Sequence, residues 1–151
     1  MNLHARALAP LTALVALATL LVACSGKEPG LYPSNAWLRG VVPGADRTAG
    51  YVTVENAYDK PVKLVGASSP NFGRVELHTM EMEAGKMQMR PVDGYTIAAG
   101  QTLSLKPSGD HLMLLFPRGD LSVGAEVPFS LAFRGPDGGL QSVDVSFKVQ
   151  Q

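Results

Sequence analysis

Arg74-Val75-Glu76-Leu77-His78 decides the fold. Apolar and polar residues alternate strictly, so an extended strand puts Val75 and Leu77 on one face and Glu76 and His78 on the other. No helical period accommodates that pattern. Outward from it the chain repeats the same grammar. Strands are expected at Trp37–Val42, Tyr51–Glu55, Val62–Ala67, Met87–Pro91, Thr102–Leu105, His111–Phe116, Val127–Arg134 and Leu140–Val149. Between them stand turn formers: Pro43-Gly44, Asn56 to Lys60, Asp93-Gly94, Ser108-Gly109, Arg118-Gly119 and Asp137-Gly138-Gly139. Short strands at this spacing, with no window of helix length and period, predict a single all-β sandwich or barrel.

The chain's 151 residues suffice for one domain with a modest core. Its N-terminus reads as an export signal over residues 1–23, with Arg6 ahead of an apolar run from Ala7 to Ala23 that is short for a membrane span. Leu21-Val22-Ala23-Cys24 resembles the lipobox of bacterial lipoproteins, which implies lipidation of Cys24. Ser25 follows it where an inner-membrane lipoprotein often has Asp, so the resemblance favours the outer membrane. Residues 24–33 are expected to be a flexible tether carrying the lipid anchor, and 34–151 the folded domain.

Composition excludes several functions. Removing residues 1–23 takes away Arg6 and no acid, leaving 12 Lys and Arg against 13 Asp and Glu, a formal charge of −1. No basic stripe exists to bind nucleic acid, and contact with the membrane is expected through the lipid alone. Cys24 is the single cysteine. With it lipidated, no disulfide, redox dithiol or cysteine nucleophile remains. A blue-copper electron carrier needs a thiolate ligand, so that chemistry is excluded too. Ser104 and Ser108 lie near His111, but Ser108-Gly109-Asp110 reads as a turn and not as a nucleophile elbow; no enzyme activity is expected.

What remains is a cluster of soft donors. His78 and His111, together with Met80, Met82, Met87, Met89 and Met113, fall within 36 residues. Met1 and His4 are the only other residues of these two types, and both lie in the expected signal. Imidazole and thioether suit monovalent copper, whereas Mg²⁺, Ca²⁺ and Mn²⁺ prefer carboxylate and water. On a strand, residues two apart share a face, so His111 projects with Met113, Met87 with Met89, and His78 with Met80. Singly, each has a plainer reading: Met113 as core filler, His111 as a strand-edge residue, and Met80, Met82 and Met87 as an exposed loop. Glu81, Glu83, Lys86 and Arg90 read as a solvated surface around them, Trp37 as a core anchor and Arg39 as a strand-edge charge.

His78, ten residues, Met89, twenty-one residues, His111, one residue, Met113: this spacing resembles the metal motif of the PCuAC copper chaperones. Ala36-Trp37-Leu38-Arg39, Ala49 to Asn56, Val75-Glu76-Leu77-His78, Met89-Arg90-Pro91-Val92 and Gly109 to Leu114 resemble that family as well. The likeness runs from about Ala36 to Val149. It implies a cupredoxin-like Greek-key β-sandwich and one Cu(I) per domain, held by His78, Met89, His111 and Met113. Family members with His-Met at the first position differ from His78-Thr79-Met80, which leaves Met80 as an auxiliary thioether. The resemblance further implies a periplasmic carrier whose acceptor bears thiols, such as the CuA subunit of cytochrome c oxidase or its assembly factors. Two alternatives keep the same domain: a copper-buffering lipoprotein with the same ligands, and a structural sandwich without metal.

Thioethers do not titrate, whereas imidazole must be neutral to ligate. Cu(I) affinity is therefore expected to fall as pH drops from about 7.5 to about 5.5, through the ordinary histidine range. Competition titrations across that interval check it; a flat profile would remove the histidines from the site.

Overall fold

In the computed structural model, residues 26–151 are described, and the expected signal and Cys24 lie outside them. Ten strands follow in order: β1 (Leu31–Arg39), β2 (Arg47–Asn56), β3 (Val62–Ser68), β4 (Phe72–Glu83), β5 (Lys86–Pro91), β6 (Tyr95–Ile97), β7 (Thr102–Ser104), β8 (His111–Pro117), β9 (Glu126–Arg134) and β10 (Leu140–Gln150). Hydrogen bonding links them along one path, β5-β4-β8-β2-β1-β10-β9-β3-β6, with β7 beside the far end of β2. Pairing is antiparallel except between β1 and β10, where Trp37–Arg39 run parallel to Lys148–Gln150.

The path folds back on itself. Phe72 of β4 and Phe129 of β9 stand five strands apart along it, yet their rings lie 5.9 Å apart. One core unites the two halves: Leu38, Val52, Val54, Leu77, Leu112 and Leu114 from one side, Leu64, Phe129, Leu131, Phe133 and Phe147 from the other. Within each strand these residues alternate with outward-facing ones, which is how a sandwich buries one face of each sheet. This is the expected all-β, cupredoxin-like fold.

Three local differences from the sequence reading have physical causes. β1 starts at Leu31, inside the expected 24–33 tether, because Leu31, Tyr32 and Pro33 already pair with Asn56, Glu55 and Val54. β4 runs on past His78 to Glu83, so Met80, Met82 and Met87 lie in a two-stranded ribbon and not in a loop. The ribbon turns through Ala84 (φ 48°) and Gly85 (φ 77°), a two-residue connection with both residues left-handed, whose twist matches that of the strands. Finally, β6 is a strand where only the Asp93-Gly94 turn was expected.

Asn56 holds one end of the sandwich. It is fully buried, and its amide nitrogen lies 2.9, 3.0 and 3.2 Å from the carbonyl oxygens of Lys60, Ile97 and Ala98. Its side-chain oxygen accepts from the Tyr58 amide at 3.0 Å. One side chain thus ties β2 to its following turn and to the end of β6. Asn56→Ala would strand these carbonyls without a donor and is expected to cost about 2–4 kcal/mol. Gln88→Ala, on an exposed strand face, is expected to stay within about 0.5 kcal/mol of the parent. Urea denaturation of both variants checks the contrast.

Candidate metal centre

The core dictates where the soft donors go. Leu77 pairs with Leu112, and Val75 with Leu114, between β4 and β8. Leu77, Leu112 and Leu114 are buried between the layers, so the alternate residues His78, Glu76, His111 and Met113 emerge on the opposite face. The same register sets His78 directly across from His111 and Glu76 across from Met113. One strand further out, Met80 of β4 faces Met89 of β5. Ala49 of β2 lies beside Met113 on its other side.

Met80, Met89, His111 and Met113 line one cleft of about 260 Å³, closed by Arg39, Ala49, Tyr51, Pro107 and Ser108. Exposure grades from its floor to its rim. His111 and Met113 are 5% and 7% exposed although neither joins the main hydrophobic cluster, whereas Met89 is 46% exposed. His78 sits beside the cleft, its ring centroid 5.8 Å from that of His111.

Hydrogen bonds assign the ring nitrogens. His111 Nδ1 lies 2.8 Å from the Gly109 carbonyl oxygen, which can only accept, so Nδ1 carries the proton and Nε2 keeps its lone pair. His78 shows the reverse. Its Nε2–H donates to a Glu76 carboxylate oxygen at 2.9 Å, while Nδ1 is buried with no partner. A buried polar atom without a partner is costly, and a ligated ion satisfies it. Glu76 in turn is held by Arg74 Nε at 2.9 Å. The carboxylate–imidazole pair fixes both tautomer and ring orientation, as outer partners do at metal centres. Tyr95 braces the backbone below: its hydroxyl donates to the His78 carbonyl oxygen at 2.5 Å. Burial, reinforced by the charge of Asp110, pushes the Tyr95 phenol well above its ordinary value, so it remains a donor.

The structure therefore brings His111, Met113, Met89 and the auxiliary Met80 to one cleft and places His78 against its histidine. Met82 and Met87 do not line it. Arg39, read as a strand-edge charge, forms part of the wall. Sequence reasoning did not single out Glu76, Tyr51 or Tyr95. Glu76 left a usable signal, since it shares the face of His78 two residues away; Tyr95 left none, because it arrives from β6.

Comparison with known proteins bears on the family and the fold. Residues 32–149 match the family described as "Putative lipoprotein LpqE-like". "Putative lipoprotein Lxx21020" of Leifsonia xyli subsp. xyli is 32% identical over 125 residues, covering 82% of this chain and 73% of the relative. "Uncharacterized protein RP573" of Rickettsia prowazekii is 29% identical over 131 residues, covering 80% and 72%. Among solved structures, the Cu(I) form of DR1885 from Deinococcus radiodurans is 32% identical with a TM-score of 0.60, over 85% of this chain and 83% of that one. The copper-bound PCuAC domain of PmoF2 is 23% identical with a TM-score of 0.63, over 82% and 97%, a likeness of fold. The fold is therefore a cupredoxin-like β domain of the PCuAC kind. Within that class, the chain belongs to the LpqE-like lipoprotein family.

At about pH 8, long-range ¹H–¹⁵N spectra are expected to show opposite tautomers, the proton on Nε2 of His78 and on Nδ1 of His111. Glu76→Ala is expected to release the His78 tautomer and weaken Cu(I) binding about 10–100-fold while leaving the fold intact. Identical tautomers in the parent protein would contradict the assignment.

Proposed function

We propose that this protein is a Cu(I) carrier that takes one ion into the cleft and hands it to a thiol-bearing acceptor. The observation that carries the reading is the unpartnered, buried Nδ1 of His78 beside a histidine whose own lone pair is left at Nε2. Two unprotonated ring nitrogens thus belong to neighbouring histidines, one of which lines a cleft together with three thioethers. Known copper-binding relatives of the same fold support the choice of metal.

Each donor has a distinct part. His78 Nδ1 and His111 Nε2 supply the stronger bonds, and Met113 supplies a buried thioether from the same strand as His111. Met89 closes the site from the rim, with Met80 directly opposite as its alternate. A monovalent d¹⁰ ion tolerates trigonal or tetrahedral ligation, so exchanging Met89 for Met80 demands no geometry the ion resists. All four ligands are neutral, and the bound ion keeps its positive charge apart from the Glu76 carboxylate behind His78. An acceptor with two thiolates offers negative charge and softer donors, so copper moves downhill onto it. The CuA subunit of cytochrome c oxidase, or one of its assembly factors, has this chemistry. Anchoring through a lipidated Cys24 would keep the carrier on the periplasmic side, with the outer membrane as its place.

The test is an anaerobic Cu(I) titration of the detergent-solubilised protein against a chromophoric chelator, beside the His78→Ala/His111→Ala variant. One tightly held equivalent is expected in the parent and none in the variant. The loaded protein is then mixed with a reduced CuA domain, to which copper is expected to transfer. Absence of the tight equivalent would overturn the metal reading; retention of copper against the dithiol would turn a carrier into a buffer.

A further inference from the structure

The β4–β5 ribbon has two chemically different faces. Thr79, Glu81 and Glu83 lie opposite Arg90, Gln88 and Lys86 on one, where the Arg90 guanidinium pairs with Glu83 and sits 3.7 Å from Glu81. On the other, Met80 opposes Met89 and Met82 opposes Met87. Only the inner methionine pair lines the cleft. The outer pair belongs neither to the cleft nor to the core, and Met82 and Met87 are 66% and 49% exposed. Packing does not account for them. Any strand former would serve at these two positions, and a polar one would cost less in water.

We propose that Met82 and Met87 form a second, exterior thioether site for a soft monovalent ion, continuous with the cleft through Met80 and Met89. Directly opposed side chains on antiparallel strands have Cβ atoms about 4.5–5.5 Å apart. Methionine's flexible, unbranched stem lets two such sulfurs converge on one ion. The next pair along the ribbon lies about 7 Å away, at about 3.4 Å per residue. An ion held outside can therefore step inward by exchanging one thioether at a time, never returning to bulk water. Neutral sulfur donors select Cu(I) over Zn²⁺, Ca²⁺ or Mg²⁺, so the outer pair screens metals before the histidines meet them. The relay role rests on the cleft holding Cu(I); binding at the outer pair does not.

Ag(I), an air-stable soft d¹⁰ ion, is the probe, titrated into the detergent-solubilised protein with ¹³C-methyl methionine. The first equivalent is expected to shift the methyl resonances of Met113 and Met89, and a second, weaker one those of Met82 and Met87. In Met82→Leu/Met87→Leu, nearly isosteric and on an exposed face, the first equivalent is expected to persist and the second to disappear. Stationary Met82 and Met87 methyls through two equivalents would overturn the proposal, as would a second equivalent that survives in the variant. Failure of the cleft reading looks different: Met113 would stay still while the outer pair responds, which supports the exterior site and removes its inner destination.

Discussion

The register of β4 against β8 is the constraint on which the centre depends. Leu77 across from Leu112 and Val75 across from Leu114 give this pairing its apolar side. Fully burying a leucine stabilises by about 1.5–3 kcal/mol, and a slip of one residue would turn either strand's set toward water. Because side chains alternate with a period of two, the same pairing that buries the leucines must put His78 beside His111 on the outer face. No separate interaction has to find that arrangement. The core positions the donors, and the donors contribute little to the core.

This division lets the centre be firm on one side and yielding on the other. His111 and Met113 come from β8, which has β4 on one side and β2 on the other, and they are nearly enclosed. His78 is fixed through Glu76, and its carbonyl is held by Tyr95. Met89 comes from β5, an edge strand exposed along its whole length. A ribbon with one free edge opens at lower cost than the sheet behind it. On the proposed reading, the ion is bound by a rigid nitrogen pair and released by way of mobile sulfur.

The alternation at Arg74–His78, and the punctuated runs on either side of it, made the sandwich legible in the sequence. Those signals are local, and the residues that carry them are the ones that fill the core. β6 escaped because Tyr95–Ile97 follows directly on the Asp93-Gly94 turn and reads as its continuation. Its pairing with β3 depends on Lys63 and Leu64, some thirty residues earlier. The cluster of histidines and methionines was legible because imidazole and thioether are rare in the chain and confined to one region, and the family resemblance is what picked His78, Met89, His111 and Met113 out of it. Their support was not. Glu76 is an ordinary surface carboxylate until β4 folds and turns it toward His78, and Tyr51 and Arg39 become cleft walls only once β1 and β2 flank β8. Such residues are defined by neighbours distant in sequence, which no short pattern encodes.

The distribution of sulfur bears on direction. A protein meant only to hold copper gains by burying every ligand and by including a thiolate. Here the single cysteine lies at the expected lipid anchor, and the thioethers spread outward from Met113 through Met89 and Met80 to Met82 and Met87. On the proposed reading, affinity falls along that series as nitrogen ligands drop away and water gains access. A graded series of weak neutral sites leads an ion to the surface without a large barrier at any step, whereas one deep site would retain it. The ribbon's opposite face keeps it soluble, since Glu81, Glu83, Lys86 and Arg90 offset the exposed apolar row. The methionine face is therefore open to water, and on the proposed reading that openness favours a carrier over a store.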